Sequence, residues 1–287
     1  MQISIVEILK AILFGIVEGV TEWLPVSSTG HMILLNEFVK LNVSPEFWNL
    51  FLVVIQLGAI LAVVILFWKT IWPFKKVTTK SGKSKIILRK PTLILWLKVL
   101  VACIPAAVVG ILYDDWIDEH FYNAIVVGTM LIVVGVLFII IEMLNKNKVP
   151  RVDRLRDLTF KDAFLIGLFQ LIAAVFPGTS RSGATILGGL MIGVSRTVAS
   201  KFTFILAIPV MFGASLLKIV KYGFGFSGYE LLILGIGMLV AFLVSILIIS
   251  FLMNYIRKHD FKVFGIYRII LGALVLLYFL VMKAPAY

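Results

Sequence analysis

Long apolar runs separated by short charged segments dominate the hydrophobic pattern of this chain. A helix needs roughly 20 mostly apolar residues to cross the hydrocarbon core of a bilayer, and six of the runs are that long. We therefore predict six transmembrane helices. Their ranges are about 47–68, 92–113, 121–144, 202–222, 229–255 and 263–282.

Four further apolar runs are too short or too polar to cross a bilayer alone. They cover about 3–24, 30–41, 160–176 and 185–194. They form two pairs, each pair precedes three of the long runs, and a turn rich in Pro and Ser separates its members. This pattern is typical of a re-entrant helical hairpin, whose turn is tolerated at membrane depth only where protein buries it or where it lines a cavity. We predict two such hairpins in an all-α polytopic membrane protein.

The second half of the sequence repeats features of the first. A shift of 152 residues places Gly15 on Gly167, Glu18 on Gln170, Pro25 on Pro177 and Ser28 on Ser180, and brings Phe51 within one residue of Phe204. Gly128 and Gly135 have the same spacing as Gly265 and Gly272. We predict a single membrane domain, 1–287, built by internal duplication. Repeat 1 covers about 1–145, repeat 2 covers about 160–287, and a basic loop, 145–162, joins them.

The charged residues between the apolar runs predict the orientation. Residues 69–90 carry eight Lys and Arg and no acid, and 145–162 and 257–262 are also basic. Residues 114–120 instead carry four acids and no Lys or Arg. The positive-inside rule places the basic loops in the cytoplasm. With three spans in each half, the two repeats are inverted and both termini lie outside. The two polar turns can then meet near the midplane, as in many transporters.

The overall composition agrees with an integral membrane protein. The chain is 61% hydrophobic and 15% charged, against about half and a quarter in soluble domains. The net charge of +12 belongs to the loops, so it indicates orientation and lipid contact, and we expect no nucleic-acid partner. The single cysteine, Cys103, excludes an internal disulfide and is interpreted as a buried small hydrophobe. The N-terminus lacks the pattern of a cleaved signal peptide.

Glu18 and Glu22 open the first polar stretch. Four residues apart, they lie on one helical face with Cβ atoms about 5–6 Å apart. Two ionised carboxylates this close repel each other, so either they share a proton or a cation lies between them. Mg²⁺ commonly links one or two carboxylates to a substrate phosphate, which makes this pair a candidate metal site. The alternative is a pair of helix-surface acids that face water.

The turn after Pro25 supplies Ser27, Ser28, Thr29 and His31. Serine and threonine are good N-caps, and a helix N-terminus offers free N–H groups to a phosphate. One serine can therefore cap the helix while the other reacts, and Ser27 and Thr29 are predicted to bind the phosphate. His31 is a candidate general base, general acid or nucleophile, and a purely structural histidine is the alternative.

The second polar turn adds a permanent positive charge. Arg181 presents a planar fork of donors that suits bidentate phosphate binding. Hydroxyl groups beside it, also predicted to bind phosphate, belong to Ser180, Ser182 and Thr185. The alternative is that Arg181 only pairs with Glu22 across the hairpins, which would still bring the two turns together.

Other polar residues in apolar runs are given less weight. We interpret Arg268 as structural, either paired with a carboxylate or reaching towards the interface. We expect Lys98 and Glu142 to reach an interface, because they lie near the ends of spans. Gln56 and Gln170 are expected to line the cavity.

Three motifs resemble those of the bacterial undecaprenyl-pyrophosphate phosphatase family of the bacitracin-resistance type. They are the Glu-x-x-x-Glu of Glu18 and Glu22, the Ser-Ser-Thr-Gly-His of 27–31 and the Pro-Gly-x-Ser-Arg-Ser-x-x-Thr of 177–185. The similarity covers the whole chain. It implies a hydrolase that converts C55 polyprenyl pyrophosphate to the monophosphate and inorganic phosphate. Such an enzyme recycles the carrier lipid of peptidoglycan synthesis and confers bacitracin resistance.

The same resemblance implies further properties. They are dependence on a divalent cation, Mg²⁺ or Ca²⁺, a location in the bacterial plasma membrane, an active site that faces the extracytoplasmic side, and a homodimer.

The residues and the resemblance together give a mechanistic hypothesis. Ser28 attacks the terminal phosphorus with the assistance of His31, while Glu22 orients or deprotonates the serine. Glu18 holds the metal with Glu22, and Arg181 neutralises the charge that develops on the phosphoryl group. Attack by His31 or by water stays open.

A transporter or flippase of the same lipid is the competing hypothesis, because inverted repeats and broken helices suit it equally well. The carboxylates beside serine and histidine favour an enzyme, since a carrier has no need to activate a nucleophile.

Overall fold

The computed structural model describes residues 4–78 and 84–282, which are mostly helical. Two of the lysines counted in the first basic loop, Lys80 and Lys83, lie outside the described residues. In chain order the elements are α1 (Ile5–Thr21), α2 (Ser28–Phe38), α3 (Pro45–Leu66), α4 (Trp68–Ile71), β1 (Phe74–Thr78), β2 (Ser84–Leu88), α5 (Lys90–Phe121), α6 (Ala124–Asn145), a 3₁₀ turn (Leu155–Asp157), α7 (Phe160–Val175), α8 (Arg181–Met191), α9 (Arg196–Tyr222), α10 (Gly228–Tyr255), α11 (Lys262–Leu277) and a π-helical end (Tyr278–Met282).

Six helices of the described chain are long and apolar enough to cross a membrane, which confirms the predicted number of spans. They are α3, the Lys90–Tyr113 part of α5, α6, α9, α10 and α11 with its extension to Val281. The chain is therefore a multi-pass membrane protein. Most bounds agree with the predicted ranges within a few residues, but α9 begins at Arg196. The acidic segment 114–120, predicted as a loop, instead continues α5 as helix.

A β-ribbon between α4 and α5 corrects the all-α prediction. Strands β1 and β2 are antiparallel, with Phe74 opposite Leu88 and Thr78 opposite Ser84. The segments 74–78 and 84–88 contain valine, isoleucine and threonine, which favour strands. The charge of this loop, on which its prediction depends, carries no information about β structure.

Each pair of short apolar runs forms two helices joined by a turn, and the two turns have the same local geometry. Ser27 and Ser180 are the N-caps of α2 and α8, with positive φ angles of 73° and 69°. Positive φ is uncommon for residues other than glycine. Each serine hydroxyl accepts a hydrogen bond from the N–H three residues later, at Gly30 and Gly183. In these two turns Ser27 rather than Ser28 has the backbone geometry of Ser180, which differs by one residue from the predicted register.

Helices α6 and α11 pack backbone to backbone through glycines. A Cβ on Gly135 would lie 2.7 Å from the carbonyl oxygen of Gly265, and a Cβ on Gly265 would lie 2.7 Å from that of Gly135. Gly128 and Gly272 approach each other in the same reciprocal way, at 3.2 and 2.6 Å. Small residues allow this close packing between membrane helices, where no hydrophobic force drives association. The contact brings Arg268 of α11 against α6.

Each short helix pair packs on a span from the other half of the chain. A Cβ on Gly15 of α1 would lie 2.7 Å from the carbonyl oxygen of Gly237 in α10. A Cβ on Gly167 of α7 would lie 2.5 Å from that of Ala102 in α5. Helices α3 and α9 also pack on each other. Because each helix pair packs on the other half of the chain, the two turns come together inside the protein.

Candidate active site

The turn that follows α1 and the turn that precedes α8 contact each other directly. The Ser182 hydroxyl donates to the carbonyl oxygen of Glu22 at 3.0 Å and lies 3.4 Å from that of Leu24. Arg181 Nη2 donates to Glu22 Oε1 at 3.1 Å. The prediction that the two polar stretches meet is confirmed.

The Glu22 carboxylate links residues from both turns. Ser28 Oγ donates a hydrogen bond to Glu22 Oε2 at 2.8 Å, while Arg181 Nη2 donates to Oε1. Glu22 is only 6% exposed, so water competes weakly for these bonds. A carboxylate that accepts a hydrogen bond from a hydroxyl is in position to accept its proton. The arrangement therefore has the geometry of a nucleophile beside a general base.

Glu18 lies one helical turn before Glu22 and is 1% exposed. Its Oε1 atom is buried and makes no hydrogen bond with the described part of the protein. The predicted alternative of two surface acids is therefore wrong. A buried carboxylate oxygen without a partner, beside a second carboxylate, fits a divalent cation with oxygen ligands. The described residues contain no cluster of three or more His, Cys, Asp or Glu side chains, so hydroxyl groups, water or phosphate would complete the coordination of such an ion.

A cavity of about 160 Å³ opens beside Glu22. This volume exceeds that of several water molecules, each of which takes about 30 Å³ in the liquid. The predicted residues that line it are Glu22, Ser28, Thr29, Gln56, Ser180 and Arg181, together with apolar residues of α9. Gln170 was also expected to line the cavity, but it is buried with its amide 3.5 Å from the carbonyl oxygen of Ala102.

Three predicted phosphate-binding residues use their hydroxyl groups within the protein. Ser27 caps α2 and Ser182 binds the backbone of the first turn. Thr185 is fully buried, donates to the carbonyl oxygen of Arg181 at 2.9 Å and accepts a hydrogen bond from Thr203 at 2.8 Å. These residues shape the turns, and they do not line the cavity.

His31 lies in the first turn of α2 but does not line the cavity. Its Nδ1 lies 2.7 Å from the carbonyl oxygen of Ser27, and its Nε2 lies 2.6 Å from the Tyr267 hydroxyl. A carbonyl oxygen only accepts, so Nδ1 carries a proton, and in the neutral ring Nε2 accepts from Tyr267. His31 is thus close to Ser28 along the chain, but its ring is hydrogen-bonded to Tyr267 of α11 and to the backbone of the turn.

Arg268 has a structural role, as predicted, but its partners are backbone carbonyl oxygens. It is fully buried in α11 and donates to the carbonyl oxygens of Pro25 in the first turn and of Gly178 and Thr179 in the second, at 3.1, 2.9 and 2.9 Å. Weaker contacts at 3.4 Å join it to Met130 and Leu131 of α6. Within the described residues it does not pair with a carboxylate, and its full burial excludes the expected reach towards an interface. An arginine deep in an apolar run was a signal of such a role.

Glu142 and Lys98 are also more buried than expected. Glu142 is 1% exposed, pairs with Arg196 through two hydrogen bonds and accepts a third from the backbone N–H of Phe261. Lys98 is 6% exposed and donates to the carbonyl oxygen of Arg156 at 3.3 Å. Neither residue simply extends to an interface.

The chain is similar to known proteins of one family over most of its length. A family model described as "Bacitracin resistance protein BacA" matches residues 11–274. A curated undecaprenyl-diphosphatase of Desulfitobacterium hafniense is 63% identical over 276 residues, which cover 96% of this chain and 97% of the relative. Undecaprenyl-diphosphatase 1 of Clostridium acetobutylicum is 60% identical, with 96% and 98% of the two chains covered. An undecaprenyl-diphosphatase of Enterococcus faecalis is 56% identical, with 96% and 99% covered.

Proposed function

The chain belongs to the bacitracin resistance protein BacA family, and we propose that it is a membrane-embedded undecaprenyl-diphosphatase. It hydrolyses undecaprenyl pyrophosphate to undecaprenyl phosphate and inorganic phosphate. This reaction recycles the carrier lipid of cell-wall synthesis and removes the pyrophosphate form, which gives bacitracin resistance. The observation that carries the proposal is the Glu22 carboxylate, which holds Ser28 and Arg181 at the wall of one cavity.

Charge neutralisation at this cavity suits a pyrophosphate. Phosphoryl transfer depends mainly on positioning and on stabilising the charge of the phosphoryl oxygens. Arg181 supplies a fixed positive charge at the cavity wall. Helices α2 and α8 both begin there, at Ser28 and Arg181, and their N-termini favour anions.

Glu18 and Glu22 would hold the divalent cation, Mg²⁺ or Ca²⁺. When bound, such an ion supplies charge that stabilises phosphate oxygens in the reaction. The buried, unpartnered Oε1 atom of Glu18 supports this assignment.

Ser28 is the proposed nucleophile. Its Oγ attacks the terminal phosphorus as its proton passes to Glu22, and the bond from that phosphorus to the bridging oxygen breaks. Undecaprenyl phosphate leaves with the bridging oxygen, and water then hydrolyses the phosphoserine. His31 would assist only after its Nε2 atom is released from Tyr267. Direct attack by water or by His31 are the alternatives.

We expect Ser28→Ala to lower the rate of phosphate release by about 1,000-fold or more, because removing a nucleophile leaves only binding and electrostatic catalysis. The measurement is single-turnover hydrolysis of a long-chain polyprenyl pyrophosphate. Ser44→Ala removes a hydroxyl group from the N-cap of α3, away from the cavity, and serves as the matched control. Near-normal turnover by Ser28→Ala would exclude the serine nucleophile and favour water or His31.

The finer architecture, two re-entrant hairpins in an inverted repeat, forms part of the proposal. Helices α1, α2, α7 and α8 are too short or too polar to span, which supports re-entrance. The shared positive φ of Ser27 and Ser180 and the reciprocal glycine contacts of α6 and α11 support the repeat. When Ser27 is aligned with Ser180, Ser28 and Arg181 occupy equivalent positions, and both bind Glu22. Only the first hairpin carries the carboxylate pair, so we propose that the two repeats form one active site and not two.

Orientation and assembly complete the proposal. The positions of the basic loops support a first hairpin that enters from the extracytoplasmic side of the bacterial plasma membrane, and we propose that the cavity faces that side. A homodimer is proposed from the family resemblance.

Lipid transfer across the bilayer is the second candidate function, and the inverted repeat favours it. The 2.8 Å hydrogen bond between Ser28 and Glu22 favours hydrolysis, because anion binding alone does not need an activated hydroxyl. Vesicles that contain the purified protein would distinguish the two: a transporter moves the lipid without releasing phosphate.

A further inference from the structure

A second cavity, of about 410 Å³, lies between α4, the start of α5 and the 3₁₀ turn. It shares no lining residue with the candidate active site. Among the described residues that line it, four are basic and none is acidic: Lys69, Arg89, Lys98 and Arg156. Lys69, Arg89 and Arg156 belong to segments that the charge pattern assigns to the cytoplasmic side, and Lys98 lies in α5 near that end.

Lys98 gives this cavity a buried positive charge. An ammonium group has three N–H donors, and the described hydrogen bond of Lys98 is to the carbonyl oxygen of Arg156. The Phe160 ring lies 5.9 Å from Nζ. The carboxylates of Asp157 and Asp162 attract Lys98 from outside the cavity lining. Charges inside a membrane protein are costly unless opposite charges compensate them, and an anion in the cavity would add to this compensation.

The other basic groups leave the cavity positive. Arg89 donates from Nη1 to the carbonyl oxygens of Lys69 and Trp72, which fixes its guanidinium group at the cavity wall. Arg156 Nε lies 3.5 Å from Asp157, and both side chains are more than half exposed. An exposed pair of this kind is weak, so Asp157 offsets only part of the positive charge of the four basic residues.

Apolar residues form part of the remaining walls, beside Thr70 and Thr92, and two exposed aromatic rings lie at the ends of α4. Ile94, Leu95 and Leu155 line the cavity. Trp68 and Trp72 stack on each other with ring centroids 4.4 Å apart, and both are more than 40% exposed. Tryptophan is enriched at the level of lipid headgroups. A positive cavity with apolar walls at this level matches an amphiphilic anion better than a soluble one.

We propose that this cavity binds the phosphate headgroup of an anionic phospholipid from the cytoplasmic leaflet. Lys98 and Arg156 contact the phosphate, Lys69 adds long-range attraction, and the acyl chains lie along Ile94 and the exposed face of α5. Basic pockets between membrane helices on this side commonly bind anionic headgroups. The bound lipid would stabilise the packing of α4 and the β-ribbon against α5.

The test is a titration of delipidated protein in neutral detergent with dioctanoyl phosphatidylglycerol, followed by the midpoint of thermal unfolding, which rises when a ligand binds the folded state. Parallel arms use dioctanoyl phosphatidylcholine and glycerol phosphate. The double variant Lys69→Glu/Arg156→Glu reverses two charges of the cavity. Lys76→Glu/Lys85→Glu makes the same change on the β-ribbon, outside the cavity lining.

We expect phosphatidylglycerol to raise the midpoint and to bind the cavity variant at least about tenfold more weakly, since each basic residue near a lipid surface contributes measurably. The ribbon variant should keep its affinity within about twofold. No shift in wild-type protein, an equal shift with phosphatidylcholine, or an equal loss in both variants would overturn the proposal. Glycerol phosphate that binds as tightly as the lipid would identify a soluble anion as the occupant and overturn it too.

Discussion

Glu22→Gln is expected to lower phosphate release by about 1,000-fold while the protein still folds. General bases contribute about 100- to 10,000-fold to rates, and a neutral amide cannot accept the Ser28 proton. The substitution also removes the negative partner of Arg181, whose Nη2 lies 3.1 Å from Glu22 Oε1. The pair of turns would keep the contact from Ser182 to the Glu22 backbone.

The matched control for this variant is Glu46→Gln, because Glu46 is an exposed acid in the first turn of α3. Rates should be measured with saturating lipid substrate, beside the thermal midpoint of each protein. If Glu22→Gln kept more than about a tenth of the wild-type rate, Glu22 would not be the base. If the activity of Glu22→Gln fell only in proportion to the amount of folded protein, Glu22 would likewise not be the base.

Arg268→Met is expected to have the largest effect on stability. The substitution removes the donors to the carbonyl oxygens of Pro25, Gly178 and Thr179. Each buried acceptor left without a partner costs about 1–3 kcal/mol. A loss of several kcal/mol would lower the midpoint of thermal unfolding by roughly 10 °C and would separate the two turns, so activity should fall as well.

Arg154→Met is the control, because Arg154 is exposed in the loop between the two halves. Arg268→Lys offers an intermediate case, since one ammonium group reaches fewer carbonyl oxygens than a guanidinium group. If Arg268→Met did not change the midpoint of thermal unfolding in detergent, Arg268 would not be the residue that holds the two turns together.

Much of the fold could be predicted because membrane spans follow from local apolar length. The six spans are confirmed, and the two polar turns meet as predicted. The turns could be paired from sequence because uncompensated polar groups at membrane depth need partners. Glu22 and Arg181 were therefore natural partners although 159 residues separate them.

Other features could not be predicted because they depend on contacts between distant residues. His31 bonds Tyr267 across 236 residues and Arg268 reaches Pro25 across 243, and no local pattern specifies either contact. Serine and threonine in the turns illustrate a second limit. Sequence alone cannot tell a serine that lines a cavity, such as Ser28, from one whose hydroxyl binds the backbone, such as Ser182.

The most direct test of the central claim, a metal-dependent phosphatase site built from both turns, is phosphate release from a C55 polyprenyl pyrophosphate by purified protein. The assay is run with EDTA, then after addition of excess Mg²⁺ or Ca²⁺, for wild-type protein and for Arg181→Ala. We predict release that EDTA abolishes and the metal restores, and that Arg181→Ala lowers by about 1,000-fold. Folded wild-type protein that binds the lipid but releases no phosphate would contradict the account, as would release that neither EDTA nor Arg181→Ala reduces.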